Sequence, residues 1–182
     1  MSKIEKIENY HPNGMLSEKG VLKDGKQYGE WIYCYETGEK MEQVNFDENG
    51  NTQNGVCWYE NGQKMVERKG FEEGVQTWWY ENGHKEIQVT LKNGKENGLK
   101  SWWYKGGMKK TESLFKNGKP HGKTLKWYEN GNKKFENNFK NGLHHGKQIG
   151  YDIDGKVNEV FYCKDGEFIP KKLWNEDGSI NE

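Results

Sequence analysis

Glycine recurs in this chain at a near-constant period. Turn glycines stand at Gly14, Gly38, Gly62, Gly83, Gly107, Gly131, Gly155 and Gly178, at spacings of 24, 24, 21, 24, 24, 24 and 23 residues. A second series runs Gly25, Gly50, Gly70, Gly94, Gly118, Gly142 and Gly166, and a third runs Gly29, Gly55, Gly74, Gly98, Gly122 and Gly146. An aromatic residue precedes each first-series turn: Tyr10, Tyr35, Tyr59, Tyr80, Tyr104, Tyr128, Tyr151 and Trp174. Self-similarity at such a period marks an array in which each unit stacks on its neighbours. The glycines leave about six to eight residues between turns, which suits strands and is too short for helices. Asn-Gly and related pairs favour tight hairpin turns. The reading is all-β: an elongated, open antiparallel meander of about seven β-hairpin repeats of ~24 residues, a mostly single-layer twisted sheet. A closed barrel is the alternative, but the low Val, Ile and Leu content gives little to fill a lumen.

The repeat runs through the whole chain, so residues 1–182 read as one array. Repeats cover about 10–178. Residues 1–9 form an N-terminal cap in which Ile4 and Ile7 pack on the first hairpin, and residues 179–182 fray. The chain has no alanine, and 24 of its 182 residues are glycine, which disfavours helix. Only 31% of residues are hydrophobic, but 14% are aromatic and the net charge is zero, which argues against disorder. Large rings covering strand surfaces can stand in for a thick core. No segment approaches the ~20 apolar residues of a membrane-spanning helix. The first nine residues alternate charge and lack the apolar centre of a secretion signal. The three cysteines, Cys34, Cys57 and Cys163, are far apart with no CxxC pair, which reads as reduced thiols. The expected location is the cytoplasm. Zero net charge with a single arginine, Arg68, leaves no footprint for duplex nucleic acid.

The aromatic strand supplies the candidate site. One residue before the tyrosine the series reads Cys34, Trp58, Trp79, Trp103, Trp127, Gly150; two before, it reads Tyr33, Cys57, Trp78, Trp102, Lys126, Ile149. Successive strand residues point to opposite faces. The uniform tryptophan row therefore reads as packing, and the tyrosine row and the variable row share the other face. A row whose chemistry changes from unit to unit is either solvated or a recognition surface. The candidate binding residues are Tyr33, Tyr35, Trp78, Tyr80, Trp102, Tyr104, Lys126 and Tyr128. Cross-strand aromatic pairs also stabilise any sheet, so packing alone is the competing account.

Other chemistry follows the repeat. Glu67, Glu112 and Glu136, with Lys64, Lys109 and Lys133 three residues earlier, recur with the period and read as surface charge patterning. A catalytic residue would break the repeat. His121 and His145 are equivalent positions about 9–10 Å apart with no further ligands, so they read as turn residues and no metal is expected. No phosphate-binding glycine motif and no nucleophile–base order stands out. The chain reads as non-enzymatic and without a cofactor. The unit from Gly62 to Gly83 is three residues short, so the strand Gln63–Lys69 should be shortened and bring a bulge, bend or frayed edge.

The pattern Trp127-Tyr-Glu-Asn-Gly131, continued by Phe139-Lys-Asn-Gly142 and His145-Gly146, resembles the MORN repeat in its bacterial variant form. The match covers about residues 10–178. It departs from the pattern in the short unit, at Gly150 where a tryptophan is expected, and at Pro170 where a glycine is expected. The resemblance implies β-hairpin repeats and a protein-binding or scaffolding role, many bacterial members being described as antitoxin-like. Two other functions fit the pattern: a carbohydrate- or cell-wall-binding aromatic repeat, which needs export, and a structural spacer that self-associates through its sheet edges. Membrane lipid is disfavoured, because acids balance the lysines and no polybasic run is present.

Overall fold

The structure, a computed structural model, describes residues 2–170. Every described element is a β-strand. The chain divides into two compact units, residues 1–94 and 95–182. The first holds β1 (Ile4–Tyr10), β2 (Leu16–Lys23), β3 (Lys26–Cys34), β4 (Lys40–Phe46), β5 (Thr52–Trp58), β6 (Lys64–Arg68), β7 (Gly74–Trp79) and β8 (Lys85–Lys92). The second holds β9 (Lys95–Trp103), β10 (Lys109–Lys116), β11 (Lys119–Trp127), β12 (Lys133–Lys140), β13 (Leu143–His144), β14 (Gly146–Tyr151), β15 (Val157–Lys164) and β16 (Glu167–Ile169). Within each unit the strands pair antiparallel with their neighbours in sequence, except that β13 and β14 both pair with β12. This is the expected open meander of hairpins. Among the described residues β1 pairs with β2 alone and β16 with β15 alone, so the sheet is open.

Two kinds of turn alternate in the second unit, whereas in the first the five-residue kind also joins β4 to β5, where the Asp47 N–H donates to Asn51 O at 2.9 Å. The tyrosine turn has five residues: the Tyr35 N–H donates to Glu39 O at 2.8 Å and the Gly38 N–H to Tyr35 O at 2.9 Å, a geometry repeated at residues 59, 80, 104 and 128. The second kind is a two-residue turn such as Asn117-Gly118, with φ of +52° and +79°. Two successive positive φ values define the hairpin turn that follows the natural strand twist, and they favour Asn or Asp followed by Gly. Just before the tyrosine turn the register slips by one residue, at Tyr33/Cys34, Cys57/Trp58, Trp78/Trp79, Lys126/Trp127 and Gly150/Tyr151. A bulge at this place is therefore part of the repeat.

Buried side chains lie on both faces, with Ile32, Thr77 and Ser101 on one and the longest cross-strand row on the other. In the first unit Trp31, Val44, Gly55, Arg68, Gln76 and Val89 lie opposite one another across β3 to β8. Trp31 and Val44 are each 3% exposed, and Val66, in the adjoining row, is 2% exposed. Trp31 lies flat over Gly20, where a Cβ would come within 2.3 Å of the indole, and its Nε1–H donates to Val21 O. In the second unit the same row reads Lys100, Ser113, Thr124 and Asn137 across β9 to β12, then Gln148 and Phe161 across β14 and β15.

Several expectations need correction. β6 is shortened and the chain bends just beyond it, at residues 69 and 71–73, as expected, while its ladder with β7 carries no bulge and runs in register from Val66 opposite Trp78 to Arg68 opposite Gln76. The deletion is absorbed beyond the ladder, where the loop Gly70–Gly74 replaces a two-residue turn. A Cβ on Gly70 would lie 2.1 Å from Glu73 O, and one on Gly74 would lie 2.2 Å from Lys69 O, so the loop closes only with glycine at both ends. The N-terminal segment is a full strand, yet Ile4 is exposed and only Ile7 is half-buried. At both ends of the repeat the tyrosine alignment slips by one residue. His11 and Asp152 occupy the turn position, while Tyr10 and Tyr151 fall in the tryptophan row. Gly150 thus belongs with Trp102 and Lys126, and Tyr151 stands where a tryptophan was expected. Trp174, Gly178 and the tail at 179–182 lie outside the described residues.

Candidate binding face

The variable row is real and lies on the same face as the core row. In the first unit it runs Glu18, Tyr33, Glu42, Cys57, Val66, Trp78 and Ile87 in direct opposition; in the second it runs Trp102, Thr111, Lys126, Phe135, Gly150 and Glu159. Tyr33 is tied down: its hydroxyl accepts from Gln27 Nε2 at 2.6 Å, and its ring stacks on Trp31 with centroids 6.1 Å apart. Burial raises the pKa of this phenol, with Glu18 and Glu42 adding to the shift and the Gln27 bond opposing it. Burial, reinforced by Glu42, likewise raises the Cys57 thiol, which keeps it protonated.

The tyrosine row does structural work. The Tyr35 hydroxyl donates to Trp58 O at 2.8 Å, Tyr59 to Trp79 O at 2.9 Å, Tyr104 to Trp127 O at 2.8 Å and Tyr128 to Tyr151 O at 3.0 Å. Each bond joins one hairpin to the next. At the N-terminal end His11 Nε2 meets Cys34 O at 3.0 Å, in the same place. Tyr80 holds the equivalent turn, with its N–H on His84 O. The opposite edge has its own ladder. The Gly118 N–H donates to Glu96 O, Gly142 to Pro120 O and Gly166 to His144 O, each at 2.8 Å. His121 Nδ1 accepts from Asn141 N–H and His145 Nδ1 from Asp165 N–H, so both rings cap a neighbouring turn, although His121 itself lies in β11 and not in a turn.

The tryptophan row is half-buried and faces the other way. The Lys40 ammonium lies 5.7 Å from the Trp58 ring, Lys64 5.6 Å from Trp79 and Lys109 5.9 Å from Trp127. Lys64 and Lys109 also hold acids of the repeat, Lys64 meeting Glu67 at 3.6 Å and Lys109 pairing with Glu112, while Lys40 bonds Gln43 and Lys133 pairs with Glu136. At Lys64 and Lys109 the charge patterning forms a clamp in which a lysine bridges a carboxylate and the next hairpin's ring, held partly by cation–π attraction. The Lys133 bond, helped by the Tyr151 hydroxyl and Lys123, holds the Glu136 carboxyl below its usual range.

The second unit contains a pocket of about 390 Å³ lined by Trp102, Lys110, Thr111, Ser113, Pro120, Thr124, Lys126 and Phe139. Its floor is made by short hydroxyl side chains of the core row, with Ser113 Oγ and Thr124 Oγ1 2.8 Å apart and buried. Trp102 stands to one side with the Lys100 ammonium 4.6 Å from its ring. Of the sequence candidates, Trp102 and Lys126 come together here. Tyr104 stands beside the pocket, its ring 5.4 Å from the Lys110 ammonium, while Tyr33 and Trp78 lie on the variable row of the first unit. Thr111, Ser113, Thr124 and Phe139 were missed. The signal for three of them was present: Ser113 stands six residues after a turn glycine, Thr111 four after it, and Thr124 four before a turn tyrosine. Among the described residues no group of three or more His, Cys, Asp or Glu is placed to hold a metal ion.

Fold and face together define a β-hairpin repeat module. The family model of the MORN repeat variant matches residues 72–93 and 120–141. Two stretches of the chain are thus similar to MORN-variant repeats, and the second contributes Pro120, Thr124, Lys126 and Phe139 to the pocket. No curated protein matches the chain. MORN repeats are non-catalytic modules that generally mediate binding to proteins or membrane lipids.

Proposed function

We propose that this chain is a non-enzymatic, cytoplasmic protein-binding module, and that its partner is a co-expressed protein held as antitoxin-like proteins hold theirs. The observation that carries the reading is the pocket joining Trp102 and Lys126. An aromatic anchor beside a concave, mostly apolar site is what interface hot spots use. The cysteines are free and buried, which suits a reducing compartment.

The test compares the wild type with Trp102→Lys, a change toward the residue the next hairpin carries at the same place. The partner is recovered on the tagged wild-type chain, and its affinity for both proteins is then measured. A loss of about 30-fold or more with an unshifted melting curve is expected, as for a hot-spot aromatic. Full affinity in a folded Trp102→Lys variant would remove this face as the binding site.

A further inference from the structure

The zero net charge of the chain hides a division. Residues 1–94 carry 11 Lys and Arg against 16 Asp and Glu, a net charge of −5; residues 95–182 carry 17 against 12, a net charge of +5. The Trp102 pocket lies in the basic unit, and no carboxylate lines it. Four lysines nearby are neutralised: Lys100 pairs with Glu96, Lys109 with Glu112, and Lys123 and Lys133 with Glu136; Lys134 lies against the Tyr128 and Phe135 rings. Lys110 and Lys126, the two that line the pocket, pair with no carboxylate among the described residues. The site therefore offers two uncompensated ammonium groups, an apolar wall of Trp102, Pro120 and Phe139, and a hydroxyl floor.

We propose that this pocket binds an acidic peptide segment. An extended stretch of the partner sets a carboxylate at Lys110 and Lys126 and an adjacent aromatic or apolar side chain against Trp102 and Phe139. The hydroxyls of Thr111, Ser113 and Thr124 take the polar edge of the bound chain. The inference rests on the protein-binding reading and gives that partner its chemistry. Charge complementarity selects an acidic partner, since electrostatic matching sets specificity and association rate. The shape selects a peptide over a lipid surface. Anionic membranes are met by clusters of about four to eight basic residues at one surface, whereas here two lysines flank a concavity, and the row continues to Glu159.

The experiment titrates the full chain, labelled at its indole nitrogens, with two capped probe peptides, Asp-Glu-Phe-Asp-Glu and Lys-Lys-Phe-Lys-Lys. The Trp102 signal is assigned from Trp102→Phe. Saturable movement of that signal with the acidic peptide alone is expected, together with at least a tenfold weaker affinity in Lys110→Glu/Lys126→Glu. Both lysines are exposed, so the doubly reversed protein should keep the wild-type melting curve, which is measured alongside. Equal response to the two peptides, or unchanged affinity in the charge-reversed protein, would overturn the proposal. So would movement of the Trp102 signal by phosphatidylcholine–phosphatidylserine vesicles and by neither peptide, which would make the site a lipid site. A recovered partner protein whose affinity depends on Trp102 but not on Lys110 and Lys126 would sink the acidic-peptide proposal and leave the protein-binding reading standing.

Discussion

In residues 1–94 the inner row reads Trp31, Val44, Gly55, Arg68, Gln76 and Val89; in the second unit the same row reads Lys100, Ser113, Thr124, Asn137, Gln148 and Phe161. Both are antiparallel meanders with a bulge before the tyrosine turn, although the first replaces two of its two-residue turns by the longer turns at residues 47–51 and 70–74; the larger difference lies in what fills the row. Trp31 and the valines close the first unit with apolar bulk. The second unit uses small hydroxyls that pair with one another, and the volume they leave above them is the pocket. One repeat thus packs a core in one place and lines a pocket in another.

The largest expected effect lies where the polar row is least replaceable. Gln148 is fully buried. Its Nε2 donates to Asn138 O and Gly146 O, and its Oε1 accepts from Asn138 N–H and meets His144 Nδ1. It bridges the backbone where the β12 ladder is interrupted between β13 and β14. Gln148→Leu should cost ~3 kcal/mol, because several buried groups lose their partners together. Urea unfolding at constant m-value measures it. A loss under ~1 kcal/mol would mean that the second unit tolerates apolar filling even here.

On the apolar side, Gly20→Ala should cost about 2 kcal/mol by displacing the Trp31 indole. Gly20 has an ordinary backbone conformation, so the effect is steric. An unchanged unfolding midpoint, with unchanged burial of Trp31 by fluorescence quenching, would show that the first unit's core is looser than described. A smaller effect separates the faces. Glu136→Gln should cost about 1 kcal/mol at neutral pH by weakening the Lys133 and Tyr151 bonds. The folded-state pKa of Glu136 lies below its unfolded value. Its contribution is therefore present above the unfolded carboxylate pKa, near 4.3, and is lost as pH falls through the lower folded value. Wild type and variant should converge in acid; a constant gap down to pH ~2 would assign the effect to packing.

The period, the strand class and the location of the turns were legible in the sequence, because glycine and asparagine are demanded by backbone conformations that other residues rarely adopt. The variable row was legible because strand alternation fixes which residues share a face. The tyrosine hydroxyl ladder was not, since its acceptors are backbone carbonyls about 20 residues away, on which side-chain pattern is silent. The inner row escaped notice for a related reason. It needs cross-strand register, and the bulge before each tyrosine turn shifts that register by one residue. The same one-residue shift misaligned Tyr10 and Tyr151. Trp103 was read as buried packing but is half-exposed, because its row is covered by side chains of the repeat rather than by a second layer.

The central claim is that the second unit's hydroxyl row is held open for binding and is not required for the fold. The most direct measurement is the stability of Ser113→Val/Thr124→Val, which gives this unit a row like that of the first. Replacing both partners of a buried hydroxyl pair by apolar groups is close to neutral when their shapes fit. The account predicts an unfolding free energy within ~0.5 kcal/mol of wild type or above it, together with loss of the Trp102 response to the acidic peptide. A fall of more than ~2 kcal/mol would contradict it, because the hydroxyl pair would then be a structural requirement of the second unit.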